Sequence, residues 1–229
     1  MVLFTLPTRL MAMATQSFLP GAVFWDMDGT LVDTEPCWFA AEKRLVASFG
    51  GVWTDEDCMK LVGMHLPVGA QHLIDAGVQL SLEDTIDALL QDVCARAREN
   101  LIVQPGAIEL ITEFAQAGIP QALVTMSDDP LVAMIIEAIE EIVGRPIFEV
   151  VVTGMEVEKG KPHPDAYLLA YERLTEHLKM EQRLVPELQH CLVVEDSIPG
   201  VAAGAASGMT TIAVPHAHPV SESSQYTLW

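Results

Sequence analysis

The sequence predicts an α/β fold: a doubly wound (Rossmann-like) parallel sheet carrying an inserted small α-helical cap. Three observations predict it. Short apolar runs without polar alternation recur along the chain, as in strands buried on both faces. Beyond residue 105 these runs alternate with amphipathic helical stretches, the order expected of a parallel sheet with helical crossovers. Between the first run and the rest, residues 36 to 104 carry helical periodicity alone.

The elements follow in order. Residues 1 to 14 are expected to be a disordered extension, because Pro7 and Arg9 interrupt its apolar pieces; Met11 and Met13 are further candidate starts. The first strand, Ala22-Val23-Phe24-Trp25, is aromatic and β-branched and stops abruptly at Asp26. Helical spacing of Trp38, Phe39, Leu45, Val46 and Phe49 marks a helix that ends at Gly50-Gly51. Thr54 then caps an acidic-first helix, Asp55 to Val62, and Pro67 to Asp75 forms a third. Ser81 and Asp84 open a fourth, whose stripe is Leu82, Ile86, Leu89, Leu90, Val93 and Ala97. After Pro105-Gly106 come helix 106 to 117, strand Gln121 to Val124, helix Pro130 to Val143 and strand Phe148 to Val152. A polar loop from Gly154 to Pro164, a helix from 164 to about 180 and strand Cys191 to Val194 follow. The chain closes with helix Pro199 to Ala206 and a fifth strand, Thr210 to Val214. The sheet domain is therefore discontinuous, 15 to 35 plus 105 to 229, with the helical domain 36 to 104 inserted after the first strand.

Composition narrows the function. With 229 residues, half of them hydrophobic and 19% charged, the chain can bury one good core and a second small one. A formal net charge of −20, from 32 acids against 12 bases, repels nucleic acid and anionic membranes. No run approaches the length of a membrane span. Cys37, Cys58, Cys94 and Cys191 lack metal or disulfide spacing and read as reduced thiols, as in a cytoplasmic protein. No feature points to an oligomeric state. The same charge would repel a phosphorylated ligand, so an anion site must be made locally positive by a metal, a lysine or helix N-termini.

The candidate chemistry lies at the carboxyl ends of the predicted strands, where open α/β sheets bind ligands. Asp26 and Asp28 end the first strand, Thr125 the second, and Glu195 and Asp196 the fourth, while Lys161 sits in the loop after the third. Each has a plainer reading taken alone. Asp-x-Asp suits a turn or a helix cap, a threonine terminates many strands, and Glu195-Asp196-Ser197 suits a helix N-terminus. Gly160-Lys161 fails as a P-loop because Pro162 replaces the hydroxyl residue. His163 reads as a loop-shaping side chain, and His216-x-His218 as solvated.

Taken together, the motifs DMDGTL, ALVTMS, GKPHPDAY and CLVVEDS resemble, in order, the four motifs of the haloacid dehalogenase-like phosphohydrolases, from Ala22 to Pro215. Within that superfamily the chain resembles the β-phosphoglucomutase-like and phosphoglycolate-phosphatase-like subgroup. The resemblance implies a Mg²⁺-dependent phosphatase of small phosphorylated metabolites, a sugar phosphate or phospho-organic acid, working through an aspartyl-phosphate. It assigns Asp26 as nucleophile, Asp28 as acid and base, and Thr125 and Lys161 as phosphate-binding residues. Asp26, Glu195, Asp196 and the main-chain carbonyl of Asp28 would hold Mg²⁺. Dehalogenases of this fold lack the acid at Asp28, which disfavours halide displacement. A sugar phosphomutase is the alternative enzyme; mutases of the subgroup carry a His and an Arg where Trp38 and the stretch Gly63-Met64-His65-Leu66 fall. A phospho-aspartate signalling module is the non-enzymatic alternative, but such modules are about half as long and lack the inserted bundle. Which of the cap bases Lys43, Arg44, Lys60, Arg96 and Arg98 face the site stays open.

Overall fold

A computed structural model of the chain describes residues 19–62, 64, 66–216 and 219–228. The expected N-terminal extension, together with Gly63, His65 and His218, lies outside these residues. The strands are β1 (Ala22–Trp25), β2 (Val32–Asp33), β3 (Ile102–Val103), β4 (Gln121–Val124), β5 (Phe148–Val152), β6 (Cys191–Glu195), β7 (Thr210–Ala213) and β8 (Thr227–Leu228). The helices are α1 (Glu35–Ser48), α2 (Asp55–Leu61), α3 (Leu66–Asp75), α4 (Leu82–Glu99), α5 (Ala107–Gln116), α6 (Leu131–Val143), α7 (Asp165–Met180) and α8 (Ile198–Ser207). Six strands form one parallel sheet in the order β5-β4-β1-β6-β7-β8. The sixth, β8, departs from the five-strand expectation. It has two exposed residues at the sheet edge, too short for any periodicity to announce it.

β1 is central because its side chains are apolar on both faces. Val23 and Trp25 enter a core with Ile111 of α5 and Leu131, Ile135 and Ile139 of α6. Ala22 and Phe24 enter the opposite core, with Ala166, Tyr167, Ala170 and Leu174 of α7 and Ala203 of α8. This alternation puts α5 and α6 on one face of the sheet and α7 and α8 on the other. Full burial of a side chain such as Phe24 contributes about 1.5–3 kcal/mol. A polar link crosses the first core: Trp25 Nε1 donates to Gln121 Oε1 at 2.8 Å, and Gln121 Nε2 donates to the Ile111 carbonyl at 3.0 Å. It satisfies an indole N–H that burial would otherwise strand.

The inserted helices are α1 to α4. β2 and β3 pair antiparallel as Val32 with Val103 and Asp33 with Ile102, joining the segment that enters the insertion to the one that leaves it. α1 packs on α4, and their buried residues, among them Val46, Leu89 and Val93, continue the core above the sheet. The N-termini form as their residues dictate. Thr54 and Asp57 make a reciprocal capping box on α2, and the Ser81 hydroxyl accepts from the Asp84 N–H on α4. Thr34 stands at the N-cap of α1 without capping it: its backbone is helical rather than extended, Pro36 has no N–H to offer, and its hydroxyl donates to the Asp28 carboxylate. No described helix is long and apolar enough to cross a membrane.

Candidate active site

The chain runs outward from β1 to β4 and β5, then returns across β1 to β6, so the sheet has its switch point around β1. The crevice beyond the carboxyl ends of β1, β4 and β6 collects the predicted residues. Asp26 follows β1 and Thr125 follows β4; both are buried. Glu195 ends β6 with no exposed surface, and Asp196 follows it. Lys161 arrives from the loop after β5 and is 4% exposed.

Lys161 is the hub. Its ammonium donates to Asp26 Oδ1 at 2.6 Å, Glu195 Oε1 at 2.7 Å and the Val124 carbonyl at 2.9 Å, using all three donors. Burial by itself would lower its pKa, but Asp26 and Glu195 outweigh that and hold it well above the ordinary lysine range. Lys161 is therefore a fixed cation. Tyr167 sits beneath it, with the ammonium 5.1 Å from the ring centre and the hydroxyl donating to Glu195 Oε1 at 3.2 Å. The other oxygen of Glu195, Oε2, accepts from the main-chain N–H groups of Asp196 and Ser197, each at 3.0 Å, and from the Ser197 hydroxyl at 3.1 Å. These are the donors of the turn that opens α8, so the plainer reading of this triplet as a helix N-terminus holds alongside the functional one.

Asp26, Glu195 and Asp196 offer oxygens that all lie within 4.8 Å of one another. Three carboxylates face one ammonium. Burial, then the Glu195 charge, raises the Asp26 carboxyl well above the carboxylate range; the same two causes push Asp196 up to about 7. An all-oxygen set with a deficit of positive charge suits a hard divalent cation such as Mg²⁺. Gly29 makes room for the set: a Cβ there would fall 2.2 Å from Asp196 Oδ2, and its φ of +89° suits glycine. Thr30 donates to Asp196 Oδ1 at 3.3 Å.

The Asp28 side chain stands apart from this cluster. It accepts from the hydroxyls of Thr34, of Ser127 at 2.6 Å and of Thr125 at 3.4 Å. Any metal contact from Asp28 would thus come from its main chain. Thr34, Ser127 and Tyr167 were not singled out by sequence reasoning. Ser127 and Tyr167 each had a usable signal, lying in the motifs ALVTMS and GKPHPDAY, but their contacts with Asp28 and Glu195 join segments distant in sequence. His163 pairs with Asp165 at 2.6 Å in its loop. His216 is exposed, as expected, with its Nε2 3.4 Å from Asp33 Oδ2. In a second oxygen-rich group, Glu149 with His177 and Glu181, both carboxylates already pair with Arg183.

Above these residues lies a cavity of about 470 Å³, floored by Asp26, Asp28, Thr125, Lys161 and Asp196. Its roof comes from the inserted helices, including Trp38, Phe39, Glu42, Leu61, Leu66 and Leu73. None of the five cap bases lines it. Four of them pair with acids instead: Lys43 with Asp55, Arg44 and Arg96 with Asp92, and Lys60 with Asp57. Arg98 is exposed.

Residues 20–208 match the haloacid dehalogenase-like hydrolase family. The chain is 34% identical to hexitol phosphatase A of Escherichia coli K12 over 193 residues, covering 83% of this chain and 81% of that protein. It is 32% identical to the bifunctional riboflavin kinase/FMN phosphatase of Arabidopsis thaliana over 198 residues, covering 86% of this chain but only 49% of that longer protein. Among solved structures it superposes on CbbY from Rhodobacter sphaeroides in complex with phosphate, with a TM-score of 0.75 at 25% identity, covering 92% of this chain and 94% of the other. A putative β-phosphoglucomutase from Thermotoga maritima gives 0.69 at 28% identity, covering 89% and 88%.

Proposed function

The chain belongs to the haloacid dehalogenase-like hydrolases, and from that premise we propose that it is a Mg²⁺-dependent phosphatase of small phosphorylated metabolites, acting through an aspartyl-phosphate. Phosphoryl chemistry on small phosphorylated metabolites follows from the family; the division of labour below is our reading. One observation carries it: Asp26, Asp196 and Lys161 meet at the floor of a cavity roofed by the inserted helices, with Glu195 buried directly behind them. A family match over residues 20–208 also displaces the signalling-module alternative.

Asp26 attacks phosphorus while Asp28 gives a proton to the departing oxygen, leaving the phosphoryl group on Asp26. Asp28 then accepts a proton from the attacking water, and inorganic phosphate leaves Asp26 free again. Bonds from Thr34 and Ser127 hold the Asp28 carboxylate in one place for both tasks. Thr125 takes a phosphoryl oxygen, and Lys161 takes another by exchanging its bond to Asp26 for it, while Glu195 positions the lysine. Mg²⁺, when held by Asp26, Asp196, Glu195 and the Asp28 main-chain carbonyl, supplies positive charge opposite the phosphoryl oxygens. The same reading divides the chain into a core, 15–35 and 105–229, and a cap, 36–104, that excludes water from the cavity.

Hydrolysis is favoured over mutase chemistry by the roof. Trp38 lines the cavity where mutases of the subgroup carry a His, and Met64 and Leu66 line it where the Arg would fall. Similarity to a hexitol phosphatase supports a phosphorylated carbohydrate as one substrate type. Four buried free thiols support a reducing, cytoplasmic setting.

The test is phosphate release from p-nitrophenyl phosphate and a panel of metabolite monophosphates. Asp26→Asn should lower kcat by about 10³-fold or more with the fold retained. EDTA should abolish turnover and Mg²⁺ restore it. Wild-type rates in either Asp26→Asn or metal-free protein would sink the assignment.

A further inference from the structure

The cavity is acidic well beyond what phosphoryl transfer requires. Asp26, Asp28, Glu35, Glu42, Asp128 and Asp196 line it, and among the described residues Lys161 is the only cationic one. Five of these acids belong to the floor or its rim. Glu42 does not. It stands on α1 in the roof, 6% exposed, and lines the side of the cavity that would receive the leaving group.

A carboxylate so buried requires donors. Those given to Glu42 are neutral: Trp53 Nε1 reaches Oε2 at 3.1 Å, and the Cys58 thiol bonds the same carboxyl group. Lys43, next in sequence, is turned to Asp55 instead. The roof around Glu42 is apolar, with Trp38, Phe39, Leu61, Leu66 and Leu73. A leaving group lodged there meets greasy walls and the acceptor-rich Glu42, and among the described residues no base of the roof lines the cavity to neutralise an anion. An ammonium or hydroxyl would complete the bonding of Glu42; a carboxylate or second phosphate would face it unscreened.

We propose that the roof selects phosphomonoesters whose leaving group is neutral or cationic and rejects those carrying a second anion, with Glu42 as the specificity-determining acceptor. This rests on the phosphatase reading for the orientation of the substrate, phosphate down and leaving group toward the cap.

The test uses three six-carbon monophosphates of similar size: glucose 6-phosphate, glucosamine 6-phosphate and 6-phosphogluconate. Their Kd values are measured calorimetrically with Mg²⁺ in an Asp26→Asn background, which keeps the ligands intact. 6-Phosphogluconate should bind about 10- to 100-fold more weakly than glucosamine 6-phosphate. Glu42→Gln, of the same shape and still able to accept from Trp53, should shrink that ratio about tenfold. Trp53→Phe removes the Trp53 bond but keeps the carboxylate, so it should leave the ratio in place. Equal Kd values for the anionic and cationic ligands, or no binding of either, overturn the proposal. So does a Trp53→Phe variant that collapses the ratio as far as Glu42→Gln, since Glu42 would then act only through packing. Phosphate release by the wild-type protein is followed separately. An intact Kd ratio without any phosphate release would remove the phosphatase reading and leave the preference of the roof standing.

Discussion

Asp28 receives one hydroxyl from the segment that leads into the inserted helices, Thr34, and one from the loop after β4, Ser127. A carboxylate pinned by two independent elements has little freedom to swing between the departing oxygen and the incoming water, so in the proposed mechanism both proton transfers would use nearly one position. That makes the two steps separable by choice of leaving group. A sugar alkoxide needs a proton as it departs, whereas nitrophenolate barely does. Asp28→Asn should therefore slow both steps with a sugar phosphate but mainly the second with p-nitrophenyl phosphate, by about 10²- to 10⁴-fold. Rapid mixing should reveal a burst of up to one nitrophenolate per site followed by slow turnover. A steady wild-type rate would remove Asp28 from this role, and slow release without a burst would confine its effect to the first step.

At the scale of elements, the joint between β6 and α8 organises the floor of the cavity. β6 delivers Glu195, the first N–H groups of the next turn seat one of its oxygens, and Lys161 takes the other. The helix can approach this closely only because Gly200 has no side chain: a Cβ there would lie 1.7 Å from Glu195 Oε1. Helix propensity alone favours alanine over glycine by roughly 0.5–1 kcal/mol. Crowding the carboxylate should outweigh that, costing about 1–3 kcal/mol through overpacking. Gly200→Ala should thus lower the melting temperature and reduce kcat, because a displaced Glu195 no longer positions Lys161. A more stable protein with unchanged kcat would show that the Glu195 seat tolerates movement and matters little.

At the scale of the whole molecule, with its net charge of −20, the site adds to the excess of acids: Asp26, Glu195 and Asp196 face the one ammonium of Lys161. The Asp196 carboxyl titrates at about 7 in the folded chain against an ordinary 3.8, so between these values the folded state holds a proton that the unfolded chain has released. Unfolding then releases that proton, and stability falls as pH rises through the window. In EDTA the melting temperature should decline from pH 5 to pH 8. Mg²⁺ competes with the proton, so the melting temperature it adds should be larger at pH 8 than at pH 5. Asp196→Asn should flatten both trends. A metal-free protein that gains stability over this range would contradict the account, as would a Mg²⁺ increment indifferent to pH.

The sequence by itself determined the parallel sheet, the inserted helices and the strand ends that carry Asp26, Asp28, Thr125, Glu195 and Asp196. These are local properties: an apolar run buried on both faces ends where its first acid or hydroxyl must meet water or a ligand, and caps such as Thr54 and Ser81 act within one turn. Only the tertiary structure decided who holds whom. Ser127 meets Asp28 across 99 positions and Lys161 meets Asp26 across 135, separations over which no periodicity carries information. The edge strand β8 and the ribbon of β2 and β3 are two residues per strand, and pairing rather than pattern creates them. The roof was least legible of all. Helical spacing marks Trp38 and Phe39 as apolar-facing, but whether they meet core or cavity, and that Glu42 lies beside them rather than in solvent, depends on how α1 is laid over the sheet.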